Sequence, residues 1–174
     1  MSELFSIQLQ NRQQQGRDGV WLDLPTTTEQ VQAALRQIGI SSDNPQGLFI
    51  SGYFAEEEKR FAIPYNMVLA SNVDELNFLA ARLETLSAGE RAELNAALQA
   101  PQSELSSIGK ITDFPENVEY YVYLPDVRGP AQLGDYYLNR SGMVNMPEEW
   151  KGGIDTAQFG RYVAQQEQGA FTQY

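Results

Sequence analysis

The residues that first suggest chemistry lie in the last third of the chain, where carboxylates stand beside tyrosines. The stretch "LPDVRGPAQLGDYYL" (124–138) follows "ENVEYYVY" (116–123), and both mix acids with tyrosines and apolar residues. Two carboxylates that face each other can perform acid–base catalysis or hydrolyse a glycosidic bond. Carboxylates on a surface can instead meet a basic partner. The pattern alone leaves three kinds of site open: an active site, a sugar groove and a partner-binding surface.

The residue types that are missing lower the expectation of an enzyme. The sequence has no histidine and no cysteine, which removes the commonest general base, the commonest metal ligand and any thiolate nucleophile. It also has no glycine-rich phosphate loop and no EF-hand loop. We therefore predict no catalytic residues, no metal and no cofactor. A carboxylate-based hydrolase stays open as a third class, and it would need two acids facing each other in a concave pocket.

The charge balance points to the kind of partner. The chain carries 23 acids against 12 bases, a net charge of −11, whereas a small soluble domain usually carries a net charge of magnitude about 2–8. Such a protein is repelled by nucleic acid and by anionic membranes, so we predict neither as a partner. The excess favours a basic partner, although plain solubility would also explain it.

The N-terminal sequence and the apolar runs predict where the protein resides. The first residues, "MSELFSIQLQNRQQQGRDG", show neither a basic nor an apolar region of a signal peptide. No apolar run is long enough to cross a membrane. Together with the absence of cysteine, these features predict a cytoplasmic protein.

The acids between Asp113 and Asp155 are spaced singly. Eight acids face three bases in this segment, on elements that also carry apolar residues. B-DNA shows about one negative charge per 1.7 Å of axis, and a protein can imitate that only by projecting carboxylates from a rigid scaffold. Any soluble acidic surface has the same general appearance, so the spacing by itself does not decide between the two.

Periodicity predicts the elements of the first third. Alternation in "LFSIQL" (4–9) predicts a strand, and "VWLDLP" (20–25) and "GLFISGYFA" (47–55) predict two more. Thr26 and Glu29 are spaced as a capping box. The helix that follows is expected to bury one apolar stripe and to end at Gly39; the stripe comprises Val31, Ala34, Leu35 and Ile38.

The middle and last thirds are predicted to be mainly helical. Caps at Asn72-x-x-Glu75 and Ser87-x-x-Glu90 open two helices with leucine stripes. The last third is predicted to contain a strand at about 118–124, three short helices and a terminal strand over 169–174; the helices are placed over 130–139, 147–151 and 155–166. Trp21 and Trp150 are expected to be core anchors.

Over almost its whole length the sequence resembles the ArdA antirestriction family. The residues that carry the resemblance are "GVWLDLP" (19–25), "TTEQVQAALRQIGI" (27–40), "NVDELNFLAARLETLS" (72–87), "LGDYYLNRSG" (133–142) and "MPEEWKGGIDTAQFGRYVAQQEQGAFTQY" (146–174). Their order and spacing carry the match more than any single piece. The family's antirestriction motif corresponds to about 126–140 in this chain.

The resemblance implies a fold and a function. It implies an α+β protein, an elongated chain of three small subdomains: a β-rich one over 1–65, a helical one over 66–109 and an α+β one over 110–174. It also implies an acidic DNA mimic carried by mobile genetic elements. Such a mimic occupies the DNA-binding site of type I restriction–modification enzymes, at their methyltransferase and specificity core, as a homodimer. The runner-up is an acidic interaction module that mimics DNA for another DNA-binding protein.

The resemblance also divides the candidate residues between two surfaces. The residues expected on the DNA-mimic surface are acids: Glu84, Glu90, Glu93, Asp113, Glu116, Glu119, Asp126, Asp135, Glu148, Glu149 and Asp155. The residues expected at the dimer interface, through the C-terminal part, are Tyr121, Tyr123, Leu133, Tyr136, Tyr137 and Leu138. The tyrosines of this part, including Tyr120, fit half-buried scaffold positions equally well. Typical members of the family are more acidic than this chain, which implies weaker or narrower inhibition, or a different target.

Overall fold

A computed structural model describes residues 3–14, 18–41 and 45–174, and within these ranges the protein is mixed α+β. The strands are β1 (Phe5–Asn11), β2 (Val20–Leu24) and β3 (Leu48–Phe54). The α helices are α1 (Thr28–Gln37), α2 (Tyr65–Leu69), α3 (Val73–Glu84), α4 (Ala88–Gln99), α5 (Ile108–Thr112), α6 (Phe114–Asn117), α7 (Pro130–Asp135), α8 (Glu148–Lys151) and α9 (Thr156–Gln166). Short 3-10 helices occupy Pro45–Gly47, Glu57–Lys59 and Val118–Tyr120, and a π-helical turn occupies Tyr136–Arg140.

The strands form one antiparallel sheet in the order β2-β1-β3, with β1 in the centre. Its alternation is the one that the sequence predicts, because Phe5, Ile7 and Leu9 are all buried on one face. The pairing of β1 with β3 shifts between Gln8 and Leu9, a bulge that places one extra residue in β3 without exposing the buried face.

Trp21 is exposed to solvent on the outer face of the sheet. Trp21 lies opposite Gln8, and Gln8 lies opposite Gly52 on the other side. A Cβ at Gly52 would meet the tip of the indole ring at 3.0 Å, so the glycine lets the ring lie across the sheet. The side chain is 50% exposed, and Trp150 on α8 is 66% exposed. The prediction that both tryptophans are core anchors is therefore wrong.

A buried asparagine joins the sheet to the end of α1. Asn11 is 8% exposed, and its Nδ2 donates to the carbonyl of Ile38 at 2.9 Å. Its Oδ1 accepts from the backbone N–H of Gln13 at 2.9 Å. The carbonyl of Ile38 is one that a helix end leaves without a partner, so the amide satisfies it. Gly39, where the helix was predicted to end, has a positive φ of 69°.

The helix caps confirm most of the predicted helix starts. Asn72 accepts from the backbone N–H of Glu75 at 2.9 Å, and Ser87 and Glu90 form a reciprocal pair. The cap of α1 differs by one residue, because the capping box is formed by Thr27 with Gln30 and not by Thr26 with Glu29. Glutamine at the third position supplies the same acceptor as glutamate. Of the predicted α1 stripe, Ala34 and Ile38 are buried, whereas Val31 and Leu35 are half-buried.

The last third contains the predicted helices but not the predicted strands. Residues 118–120 form a 3-10 turn and 121–124 have no regular structure, so the strand at about 118–124 is wrong. The terminal strand over 169–174 is also wrong, since those residues have no regular structure either. Alternating tyrosines suggested a half-buried strand. Within the described residues, however, the only sheet is the three-stranded one, so this segment has no strand to pair with.

The chain forms two compact units. The first comprises residues 1–94 and 104–118, and the second comprises residues 95–103 and 119–174. The three-subdomain division with boundaries after 65 and 109 is not confirmed, and those boundaries stay a prediction. The core of the first unit lies between the sheet and its helices, where the leucine stripe of α3 (Leu76, Leu79 and Leu83) is fully buried.

The second unit is built on a backbone contact between α7 and α9. A Cβ at Gly134 would lie 1.9 Å from the carbonyl oxygen of Thr156. A Cβ at Gly160 would lie 1.8 Å from the carbonyl oxygen of Pro130. Both neighbours are backbone atoms, which cannot turn aside as a flexible side chain can. Only glycine at both positions lets the two helices approach this closely.

We predict that Gly134→Ala or Gly160→Ala destabilises the second unit by about 3 kcal/mol or more, because overpacking against a fixed backbone forces the helices apart. Urea unfolding followed by circular dichroism would measure the change. Gly152→Ala is the matched control, since a Cβ there meets nothing within 4 Å. A wild-type midpoint for Gly134→Ala would contradict the close crossing.

Candidate partner-binding surface

Most of the predicted surface acids are exposed. Eight of the eleven face solvent, and the half-buried ones are Glu84, Glu93 and Asp135. They lie in both units: Glu84, Glu90, Glu93, Asp113 and Glu116 in the first, and Glu119, Asp126, Asp135, Glu148, Glu149 and Asp155 in the second. The structure therefore places acids of both units on the surface.

Helix starts hold several of these carboxylates. Asp155 caps α9 by accepting from the backbone N–H of Gln158 at 2.9 Å, and Glu116, Glu148 and Glu149 lie in the first turns of α6 and α8. A helix N-terminus favours negative charge. Stabilisation of the helices is therefore sufficient to explain why acids occupy these positions. At α9 the capping hydrogen bond also fixes where the Asp155 carboxylate points, which a mimic of regularly spaced phosphates requires.

Glu90 illustrates such a carboxylate. Hydrogen bonds from the Ser87 side chain, and then from its backbone N–H, lower the pKa of Glu90. A lowered pKa means that the contribution of Glu90 to stability is present above the ordinary glutamate value of about 4.3 and is lost as the pH falls through the lowered value. The carboxylate is thus charged and held in place at neutral pH.

Three candidate acids are paired with the chain's own cations. Glu116 pairs with Arg82, Asp135 with Arg140 at 3.1 Å and Glu148 with Lys151 at 2.6 Å. Exposed pairs of this kind contribute about 0–1 kcal/mol. A partner that offers a better placed arginine could therefore replace the internal cation at little cost.

The π-helical turn explains how Asp135 is held. The backbone N–H of Ser141 donates to the carbonyl of Tyr136 at 2.8 Å, five residues earlier. The wider turn brings Asn139 and Arg140 both onto Asp135, whose carboxylate accepts from Nδ2 of Asn139 at 2.8 Å and from Nη2 of Arg140. Such turns are frequent at functional sites. This one lies within the segment expected to hold the antirestriction motif.

Three of the candidate acids have no hydrogen-bond or ion-pair partner within the described part of the chain. Glu119, Asp126 and Glu149 are exposed and take part in no salt bridge among those residues. Asp126 follows Pro125 in a turn, closed by the N–H of Val127 donating to the carbonyl of Leu124 at 3.0 Å. These three carboxylates are the ones most open to a cationic partner.

The sequence reasoning placed most candidate acids in the last third, but the larger excess lies in the first unit. That unit holds 16 acids against 8 bases, giving −8, whereas the second holds 7 acids against 4 bases, giving −3. The acids missed include the run Glu56, Glu57 and Glu58, all exposed at a 3-10 turn and lining a shallow, open concavity. A count of acids along the chain would have found this excess.

The predicted interface residues divide into two groups. Leu133 and Leu138 are buried within the second unit, at 9% and 3% exposure, while Tyr121, Tyr123, Tyr136 and Tyr137 are half-buried. The rings of Tyr136 and Tyr137 meet edge to face at 5.6 Å, and the Arg140 guanidinium lies over the Tyr136 ring. Tyr120, which was expected at a half-buried scaffold position, and Val122, for which nothing was predicted, are 78% and 83% exposed. The exposed side chains of this segment therefore alternate with its half-buried tyrosines.

Neither a metal-binding cluster nor a membrane-spanning helix occurs among the described residues. No group of three or more acidic side chains there is placed to hold a metal ion. No helix in the same part of the chain is both long and apolar enough to cross a membrane.

Comparison with known proteins identifies the group to which the sequence is similar. The model of one family, described as "Antirestriction protein (ArdA)", matches residues 15–174 of the 174 residues. The match spans both compact units and includes every candidate residue. A search of individual curated proteins found no match. The family description names an antirestriction role and no catalytic activity.

We predict that Glu93→Gln raises the urea midpoint at pH 7. Burial, and then repulsion by Glu90, raises the pKa of Glu93, so the folded state disfavours the charged form. The penalty exists above the raised pKa and disappears as the pH falls through it, so the two proteins should converge in acid. Glu104→Gln, which removes an exposed charge of the same unit, is the control. A lower midpoint for Glu93→Gln at pH 7 would contradict the assignment.

Proposed function

The chain belongs to the ArdA antirestriction family, and from that premise we propose that it is a DNA mimic that competitively occupies the DNA-binding groove of type I restriction–modification enzymes. Its carboxylates would stand in for phosphates and pair with the lysines and arginines of that groove. Incoming DNA would then escape cleavage because the enzyme's binding site is already occupied.

The observation that supports this proposal is a difference between basic and acidic side chains. Several basic side chains are engaged in contacts within the protein, whereas several exposed acidic ones are not. Several basic side chains are committed to contacts within their own unit: four form ion pairs, Arg91 donates to the carbonyls of Leu83 and Leu86, and Arg12 lies over the ring of Phe49. Exposed acids remain without a described partner, among them Glu119, Asp126 and Glu149. Each ion pair takes up one acid with one base and leaves the net charge of −11 unchanged, so the charges that stay open to a partner are mainly carboxylates.

Electrostatics would act on this surface in two ways. The field of a chain with net charge −11 speeds the encounter with a basic groove, by a factor that falls as salt rises. Carboxylates held at helix starts then need little ordering when they bind, so less of the interaction is spent on lost side-chain freedom. Both effects favour competition with DNA at low and moderate salt.

We also propose that the protein acts as a homodimer through its C-terminal part. Tyr120 and Val122 are the exposed apolar residues of this segment, and they alternate with the half-buried Tyr121 and Tyr123. Leu133 and Leu138 are buried in the second unit, so in this proposal they belong to its core and the exposed residues make the contact. Exposed apolar side chains that cluster on one segment are typical of interaction sites.

The experiment that tests the function is a plating assay. Unmodified phage is plated on a host with a type I restriction system, with and without the protein. We expect higher plating efficiency with the protein present, and no effect on a host that lacks the restriction system. Restriction that continues unchanged at confirmed expression of the protein would contradict the proposal.

We predict that the triple change Glu119→Gln, Asp126→Asn, Glu149→Gln weakens competition with DNA for a purified type I enzyme about tenfold, since each lost charge contact costs up to about 1 kcal/mol. The inhibition constant should also depend less steeply on salt. The matched control, Asp74→Asn, Glu104→Gln, Glu167→Gln, removes the same charge at exposed acids that are not candidates for this surface. Equal weakening by both triples would show that total charge acts, and that the candidate positions do not.

We predict that Tyr120→Ser combined with Val122→Ser raises the dimer dissociation constant tenfold or more, because it removes two exposed apolar side chains. Analytical ultracentrifugation over a concentration series would measure it. Met143→Ser, which changes an exposed apolar residue elsewhere in the same unit, is the control. A dimer of wild-type strength in the double variant, or a wild-type monomer at all concentrations, would contradict this interface.

A further inference from the structure

The outer face of the sheet presents an indole ring that is both fixed and open. Trp21 projects from β2 away from the core, and its ring tip lies over Gly52 in β3, where a Cβ would meet it at 3.0 Å. The ring thus has a support on one side, yet the side chain is half exposed. A ring held in this way offers an aromatic surface without losing much side-chain freedom on binding.

A carboxylate is held beside that ring. Asp23 follows Trp21 by two residues on β2, so both side chains project to the same face. Asp23 lies opposite Ser6 on β1, and the Ser6 hydroxyl donates to its Oδ1. Ser6 in turn lies opposite Phe54 on β3, whose ring is 59% exposed. Two exposed aromatic rings and one oriented carboxylate therefore share two adjacent rows of the sheet.

The same face already shows which chemistry its aromatic residues attract. At its other end, the Arg12 guanidinium lies 5.2 Å from the centre of the Phe49 ring, within the distance of a cation–π contact. Trp21 and Phe54 have no such cation among the described residues. The first unit carries a net charge of −8 from its 16 acids and 8 bases, so a cation from outside is attracted and an anion is repelled.

We propose that Trp21, Asp23 and Phe54 form a docking site for an arginine side chain of a basic protein. A guanidinium can stack flat on the indole ring and donate two hydrogen bonds to the carboxylate at once. The ammonium of lysine can do only one of these well. The identity of the partner rests on the proposed function, because a DNA-binding groove is rich in arginine. The preference of the site for arginine is independent of that function.

A fluorescence titration tests the site directly. Trp150→Phe leaves Trp21 as the only one of the chain's two tryptophans, so its emission reports on this face alone. The probe is a short acetylated and amidated peptide of alternating glycine and arginine. We expect saturable binding to the full chain, about fivefold weaker when lysine replaces arginine, and lost when neutral citrulline replaces it.

Two variants separate the site from the general negative field. Asp23→Asn in the Trp150→Phe background should weaken the arginine peptide about fivefold, whereas Asp74→Asn, an exposed acid of the same unit, should leave its affinity unchanged. Trp21→Leu should abolish the heat of binding in calorimetry while the circular dichroism spectrum stays that of the wild type.

Three outcomes would overturn the proposal: equal binding of the citrulline peptide, equal weakening by Asp23→Asn and Asp74→Asn, or unchanged calorimetric binding in Trp21→Leu. The titration needs no restriction enzyme, so it is independent of the plating assay. Failure of the peptide to bind while restriction is still inhibited would reject the docking site alone. Binding of the peptide without inhibition would reject the proposed function alone.

Discussion

Repulsion among like charges is the constraint around which this structure is organised. A chain with 23 acids and 12 bases must fold although its excess carboxylates oppose a compact state. It does so by giving many acids a local, favourable position: at a helix cap, as Asp155 and Glu90 have, or beside a cation of its own, as Glu116 has. Glu93 lacks such a position, and its carboxyl carries a penalty. The positions that make the charge tolerable are also those that keep the carboxylates in a fixed place.

The two units contribute differently to a partner-binding surface. The first unit holds most of the excess charge and the sheet, whose outer face combines Trp21 and Phe54 with an oriented carboxylate. The second unit holds fewer acids but more exposed apolar residues, including Tyr120 and Val122. This division between a more acidic unit and a more apolar one would suit the two proposed contacts, one with a basic enzyme and one with a second copy of the chain, since those contacts require opposite surface properties.

Local patterns predicted much of the fold, and long-range contacts decided the rest. Alternation in β1 and the caps at Asn72 and Ser87 were correct because each depends on neighbours within a few residues. The segment 118–124 was wrong because alternation shows which side chains can share a face but not whether a strand is available to pair with. The prediction that Trp21 is a core anchor was wrong for a similar reason. Only the strand register shows that Trp21 lies opposite Gln8, which in turn lies opposite Gly52. Exposed acids could be named from the sequence, whereas their internal partners, such as Arg140 for Asp135, required the π-helical turn.

The crossing of α7 and α9 at Gly134 and Gly160 separates what holds the second unit together from what it displays. The two backbones meet directly, so the approach of the helices depends on the absence of side chains at two positions rather than on the shape of many. Exposed residues on both helices are therefore free to change without disturbing the contact beneath them. An antirestriction protein would gain from this arrangement, since it can diversify its surface by single substitutions while its architecture stays the same.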